Sequence, residues 1–297
     1  MKAALIGLGS MGRNHYRIIK NNQDVDFVAV VEPNDELISD IDVKRYRNVE
    51  QLLENEQIDF AIIATPTSTH LDISKKFLER GIHLLVEKPI AACSKDASKL
   101  ENLAYKNNCK LVVGHVERFN PAIQAVLGHL KDQKIIHLEA SRFSGYPTRI
   151  TDVGVKLDLS IHDIDLMNLL THSNIEKCYS LDSCNSGDKD DDAVFIIKFY
   201  DGALATVRTS WLFPHRERKI KILTDQKYFV IDLLSKNVDV FTNNDYSEGY
   251  SVMTLDIIRK DALSLQLQSF LNYIKTGELG ALCDASSAGL ALSYVEG

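Results

Sequence analysis

MKAALIGLGSMG, residues 1–12, is the stretch that decides the fold. An apolar run, Ala3 to Ile6, leads directly into Gly7-Leu8-Gly9-Ser10-Met11-Gly12. A second apolar run, Phe27 to Val31, ends on an acid, Glu32. The glycines alone are a weak signal. Strand, glycine turn, helix, strand and acid in that order mark a dinucleotide-binding unit. Gly7 permits the tight turn, Gly9 lets a pyrophosphate approach the backbone, and Gly12 lets the helix pack close to the sheet. A helix opening at Ser10 and Met11 points free amides at phosphate oxygens. Glu32 can accept from both ribose hydroxyls and repels a 2′-phosphate, and none of Pro33, Asn34 and Asp35 is basic. NAD is therefore the expected cofactor, with NADP disfavoured.

Outward from that turn, apolar runs alternate with helical patterns. Strands are expected at Ala3–Ile6, Phe27–Val31, Phe60–Ala64, His83–Val86 and Lys110–Val113, and helices near 11–21, 49–55, 69–80 and 94–107, with Ser94 capping the last. Short strands that are apolar throughout are buried on both faces, as in a parallel sheet. The pattern changes after Phe119-Asn120-Pro121. Ile135–Phe143 alternates, Ala193–Tyr200 and Ala203–Thr209 flank an Asp201-Gly202 turn of type I′ character, and Lys219–Leu223 and Tyr228–Leu234 continue in the same way. Helices are expected near 156–171, 261–276 and 285–295. The fold class is α/β: a doubly wound parallel sheet of the Rossmann type over 1–117, then an α+β domain over 118–297 with a mostly antiparallel sheet.

The 297 residues suit two domains, and 45% hydrophobic residues suffice for sizeable cores. A net charge of −7 argues against a nucleic-acid binder. Cys93, Cys109, Cys178, Cys184 and Cys283 are odd in number and scattered, with no CxxC pair, so free thiols in a reducing compartment are expected. No apolar stretch approaches the ~18 residues of a membrane span. The apolar start turns into glycines too early for a signal peptide. These features point to a cytoplasmic protein.

Three further segments carry chemistry. Ala64-Thr65-Pro66-Thr67-Ser68-Thr69-His70 follows a strand and opens a helix, so it faces the ligand crevice of an open sheet. Thr65, Pro66 and Thr67 are cofactor candidates; helix capping by Thr67 or Ser68 is the structural alternative. His70 reads by itself as a packed helix histidine, and its place in the segment makes it a cofactor candidate too. Glu87-Lys88-Pro89 follows the strand His83–Val86. At that strand end the Lys88 ammonium can donate to a substrate hydroxyl or a developing alkoxide, and Glu87 lies beside the cofactor. Pro89 fixes the turn and allows a cis bond; a surface Glu87–Lys88 salt bridge is the alternative. In KLDLSIHDIDL, residues 156–166, Asp158, His162 and Asp165 share one helical stripe between apolar flanks. A buried imidazole beside a carboxylate suits proton transfer, with His162 as the base and Asp158 orienting it or binding substrate. A satisfied structural His–Asp pair is the competing reading. No complementary ligand cluster accompanies these residues, and no metal is expected.

At these residues the chain resembles the glucose–fructose oxidoreductase/inositol dehydrogenase/MocA family over nearly its whole length. The glycine turn, ATPTSTH at 64–70, EKP at 87–89 and the D-x-x-x-H-x-x-D helix at 158–165 stand in family order. The resemblance implies a nucleotide-binding domain, a second domain whose open sheet forms a homodimer or homotetramer, and hydride transfer between NAD(P) and a sugar or polyol. It assigns catalysis to Lys88, Asp158 and His162. VGHVERFNPAI at 113–123 and YPTRITDVGVKLDLSIHDIDL at 146–166 resemble members that oxidise C3 of UDP-N-acetylglucosamine, the product then passing to an aminotransferase. Val153-Gly154-Val155-Lys156 stands where many members carry glycines, which departs from the free-sugar enzymes. Glu117, Arg118 and Asn120 are expected to line the sugar pocket, and Arg142, Arg149 or Lys156 to pair with the diphosphate. An inositol or free-sugar dehydrogenase, and an NAD-sensing regulatory protein without catalysis, are the alternatives.

Overall fold

The computed structural model describes residues 1–38, 40–147, 153–243 and 249–296. The chain forms two compact units, Met1–Val116 with Leu263–Leu290 and Glu117–Ala262 with Ala291–Gly297. The expected boundary is at 117–118, and periodicity carries no signal for the return of 263–290, because the helices there are amphipathic like any other.

The first unit runs β1 (Lys2–Ile6), α1 (Ser10–Lys20), β2 (Asp26–Val31), β3 (Lys44–Tyr46), α2 (Val49–Asn55), β4 (Phe60–Ile63), α3 (His70–Leu78), β5 (His83–Val86), α4 (Ser94–Lys106) and β6 (Leu111–Val113). The second contains α5 (Pro121–Leu130), β7 (Ile135–Phe143), α6 (Ile161–Thr171), β8 (Ile175–Ser183), β9 (Asp192–Phe199), β10 (Leu204–Ser210), β11 (Glu217–Thr224), β12 (Lys227–Asp232), β13 (Asn237–Asn243) and β14 (Tyr250–Thr254). The chain ends with α7 (Ala262–Thr276), β15 (Cys283–Asp284) and α8 (Ala285–Glu296).

The first sheet has the order β15-β6-β5-β4-β1-β2-β3. Strands β1 to β6 are parallel, and β15 pairs antiparallel with β6. The order reverses between β1 and β4, and ligands bind doubly wound sheets at the carboxyl ends of the strands beside such a reversal. Ala4, Leu5, Ile62 and Leu84 are fully buried, as expected for a sheet covered on both faces. Phe270 of α7 meets Phe60 edge-on at 5.6 Å. Strand β3 is short and polar and shows no alternation, and the sequence reading does not anticipate it. Cys93, not Ser94, occupies the N-cap position of α4, and Ser94 is its first residue.

The second sheet has the order β14-β13-β12-β11-β7-β10-β9-β8 and is antiparallel except for β7–β10. Phe195, Ile197 and Phe199 of β9 face the core, and Val194 and Ile196 face out. The β9–β10 turn differs from the type I′ expectation. Gly202 is at φ +92° and Asp201 is not at positive φ, whereas type I′ needs both central residues there. The expected 156–171 helix begins as a π-helix over Lys156–Ser160 and becomes regular in α6. Gly154 sets its start: a Cβ there would lie 2.0 Å from Asp190 Oδ1, and that same carboxylate accepts from Lys156 N at 2.8 Å. All five cysteines are free thiols. Among the described residues no helix is long and apolar enough to cross a membrane.

Candidate active site

The carboxyl ends of β1, β2, β4 and β5 deliver Gly7, Glu32, Thr65 and Glu87 to one edge of the first sheet, because these strands run parallel. Gly7 sits at φ +92°, and a Cβ there would meet Ala64 O at 2.6 Å. A Cβ on Gly12 would meet Gly7 O at 2.1 Å, so the helix can follow the strand this closely only with glycine at 12. Gly9 has nothing within 4 Å of its missing Cβ. That open space lies at the N-terminus of α1, where Gly9 caps the helix without any side-chain bond. Amides of Ser10 and Met11 are thus presented as a pyrophosphate seat. Glu32 is fixed by bonds from Leu8 N at 2.8 Å and Asn34 N at 3.0 Å, one to each oxygen. Each oxygen keeps a lone pair for a ribose hydroxyl. Glycine spacing, helix end and acid fit a dinucleotide.

The 65–70 segment is tied by Thr69 Oγ1, which donates to Pro66 O at 2.7 Å and lies in hydrogen-bond contact with Thr65 Oγ1 at 2.8 Å. Neither Thr67 nor Ser68 caps a helix. His70 is buried, its Nδ1 2.9 Å from Pro89 O and its Nε2 2.9 Å from Thr65 O. Burial holds its pKa below the ordinary histidine value against the pull of the two carbonyls. The Lys88–Pro89 bond is cis. Glu87 makes no surface salt bridge with Lys88; it turns inward, with Oε1 2.6 Å from Nε2 of buried His15.

In the second unit the sequence-derived cations have other partners. Arg142 is buried and forks onto Asp163 with two bonds of 2.8 Å, and it reaches Glu117 Oε1 at 3.2 Å. Burial works against its charge, and the Asp163 and Glu117 carboxylates outweigh burial, so its pKa is raised. Burial would raise Glu117, but Arg142 and Arg218 hold it below the usual carboxylate range. Arg118 is buried in a fork on Asp165 at 2.8 and 2.6 Å, which gives that stripe residue a structural role. Asn120 caps α5 through Ala122 N and donates to Glu117 Oε2 and Leu233 O, so its bonds are committed. Lys156 Nζ pairs with Asp182 at 2.7 Å. Arg149 lies outside the described residues.

Asp158 and His162 are half-buried, the first in the π-helix and the second in α6. π-Segments inside helices recur at functional sites. Asp158 lines a cavity of about 400 Å³ together with Tyr146, Trp211, Arg142, Arg216 and Arg218. Trp211 and Tyr146 meet edge-on at 5.4 Å. Tyr146, Trp211, Arg216 and Arg218 were missed by the sequence reading. For Trp211, Arg216 and Arg218 the available signal was WLFPHRER, residues 211–218, where two aromatics are followed by basic residues after a strand.

Two family models match. The oxidoreductase family GFO_IDH_MocA, NAD-binding Rossmann fold, covers residues 1–115, and the GFO/IDH/MocA C-terminal domain covers 123–230. UDP-N-acetylglucosamine 3-dehydrogenase of Acidithiobacillus ferrooxidans is 28% identical over 92% of this chain and 88% of that protein. The solved structure of that enzyme matches with TM-score 0.90 at 26% identity, covering 100% of this chain and 95% of its own. Myo-inositol 2-dehydrogenase of Thermotoga maritima is 21% identical over 99% of this chain and 94% of its own.

Proposed function

Because this chain belongs to the GFO/IDH/MocA family of NAD-binding oxidoreductases, we propose that it oxidises a secondary hydroxyl of a nucleotide sugar, C3 of UDP-N-acetylglucosamine, with NAD+. The observation that carries the substrate choice is the cavity beside Asp158, where an aromatic wall and the Arg216 guanidinium suit a sugar joined to an anionic carrier. Arg216 takes the diphosphate role expected of Arg142, Arg149 or Lys156. NAD+, when bound on the glycine turn, accepts the hydride. Glu32 favours NAD over NADP, since its carboxylate, fixed by Leu8 N and Asn34 N, would accept from ribose hydroxyls and repel a 2′-phosphate.

His162 takes the hydroxyl proton, oriented by Asp158. Lys88, in the first unit, is the donor suited to an oxygen on which negative charge develops. With the hydroxyl proton on His162, the carbinol would be set to give up its hydride to NAD+ held on the glycine turn, and the products would be the 3-keto sugar and NADH. An aminotransferase is the reaction class that consumes such a ketone to give a 3-amino sugar. Across β8 and β9, Tyr179 opposes Ile196 and Leu181 opposes Val194, all on the outward face of the sheet. A homodimer or homotetramer covers that apolar face.

A panel of NADH-formation assays tests the reading. UDP-N-acetylglucosamine is expected to give NADH. Turnover of myo-inositol or a free sugar alone would replace that substrate with the activity borne by the Thermotoga maritima relative's name. Lys88→Ala and His162→Asn are expected to lower kcat by about 10²–10⁴-fold while NAD stays bound. Near-normal rates would remove those residues from the chemistry. Arg216→Glu is expected to raise KM for the nucleotide sugar and leave NAD affinity unchanged.

A further inference from the structure

Lys88 stands between two residues that are each tied to a buried histidine. On one side, the Glu87 carboxylate contacts His15 Nε2 at 2.6 Å, with both residues in the interior. His15 lies one helical turn beyond Gly12 on α1, so the helix that begins at the glycine turn also holds the residue before the lysine. On the other side, the Pro89 carbonyl contacts His70 Nδ1 at 2.9 Å. His70 opens α3 and also contacts the Thr65 carbonyl at 2.9 Å, so the helix after the second crevice loop holds the residue after the lysine. Glu87 N donates to Ile63 O at 2.8 Å and anchors the turn to β4. A third element makes room for the first contact. Gly114 follows β6, and a Cβ on it would lie 2.9 Å from the Glu87 carboxyl carbon and from both its oxygens.

We infer that His15 and His70 are positioning residues that clamp the turn carrying Lys88, acting through the Glu87 carboxylate and the Pro89 carbonyl, with Gly114 leaving the space the carboxylate occupies. The inference rests on the reading of Lys88 as the group that meets the substrate oxygen. The physical argument is one of freedom. A lysine has four rotatable side-chain bonds, and its head can be held on a target only if its backbone does not also swing. A shift of about 1 Å in a reacting group can cost on the order of 10²-fold in rate. Two imidazoles remove that swing from both flanks. They also connect the segments after β1, β4 and β5, three of the four strand ends that carry the cofactor candidates of this unit. A carboxylate–imidazole contact in the interior is also costly to half-remove, since the remaining partner keeps its desolvation penalty. The pair therefore acts as one unit.

The test uses the NAD-bound enzyme and the variants His15→Gln, Glu87→Gln, the double variant, Gly114→Ala, His70→Ala and His70→Gln. The expected result is a kcat lowered about 10- to 100-fold in His15→Gln and Glu87→Gln, with sugar KM and NAD affinity held within about threefold. The double variant is expected to be no slower than the worse single one, because the two residues share one interaction. Gly114→Ala is expected to act in the same direction, since it displaces the carboxylate without touching either partner, and His70→Gln to recover part of the loss in His70→Ala. A second readout is the rate at which the Lys88 amine is acylated by trace acetic anhydride, followed by mass spectrometry. It is expected to change in the same variants. If kcat and Lys88 acylation stay at the native values while only the melting temperature falls, the histidines are structural and the inference fails. If the native enzyme oxidises no sugar, the proposed function fails, and the acylation rates alone decide the clamp.

Discussion

Around the glycine turn of the first unit, the polar groups held inside are amides, carbonyls, two imidazoles and two carboxylates. Behind α6 in the second unit they are the buried Arg118 and Arg142, joined by the partly exposed Arg218, set against three carboxylates: Arg118 on Asp165, Arg142 on Asp163 and Glu117, and Arg218 on Glu117. The first arrangement offers dipoles and a helix end to a ligand that brings its own charge. The second is already neutralised from within and fixes α6 to β7 and to the start of α5, leaving Asp158 and His162 on a rigid support. Dipoles can be rearranged at small cost, whereas half of a buried ion pair cannot be removed without stranding the other half.

The largest expected effect tests that last point. Asp163→Leu leaves Arg142 buried with one of its two carboxylate partners gone, and is expected to cost about 3–5 kcal/mol in urea unfolding. Replacing both Asp163 and Arg142 by Leu is expected to recover most of that loss. Comparable stability of the single and double variants would show that the pair is not the unit of cost. In the first unit, Gly12→Ala drives a methyl group against Gly7 O and is expected to cost about 1–3 kcal/mol. It should also weaken NAD binding, which calorimetry would read directly. A Gly12→Ala protein with native affinity would contradict the close approach of α1 to the turn.

A smaller effect distinguishes the units by pH. The folded-state pKa of His70 lies below its ordinary value of 6.5. Below about 6.5 the unfolded chain takes up a proton that the folded protein resists, so this contribution is present above that pH and is lost as pH falls toward the folded value. His70→Gln is expected to flatten the melting-temperature curve in that window. Glu117 is shifted below 4.5, so its contribution persists until the pH falls below that value. The last comparison sets two caps side by side, one of which carries the smallest cost. Asn48 only caps α2, through Gln51 N, whereas Asn120 caps α5 and also bonds Glu117 and Leu233. Asn48→Ala is expected to cost about 0.5–1 kcal/mol and Asn120→Ala about 2 kcal/mol or more. Equal costs would mean that the extra bonds of Asn120 add nothing.

The same contrast explains what the sequence revealed. The glycine turn, Glu32 and the strand ends are contiguous or follow a short period, and their roles depend on local backbone geometry, so they could be read directly. Arg118, Arg142 and Lys156 were visible as cations, but their partners Asp165, Asp163 and Asp182 are brought to them by the fold. A cation read alone looks available for phosphate. Asp158 and His162 are candidates read from their spacing, and the π-turn between Lys156 and Ser160 alters the helical register on which that reading relies. Trp211 and Arg216 lie on the connection from β10 to β11, where no periodic pattern draws attention to them.

The antiparallel edge formed by β15 has a consequence for biosynthesis. Cys283 and Asp284 complete β6 at Val113 and Val112, and Phe270 closes over Phe60, so residues near the end of the chain finish a sheet that starts at the second residue. At about 5–20 residues per second, the outer edge of β6 waits on the order of ten to thirty seconds during translation before its partner emerges. For that interval the nascent chain exposes an unpaired strand edge, which invites mispairing with another chain. Short flanking strands and a charged residue, Lys110, immediately before β6 keep that exposed edge small until synthesis reaches Cys283.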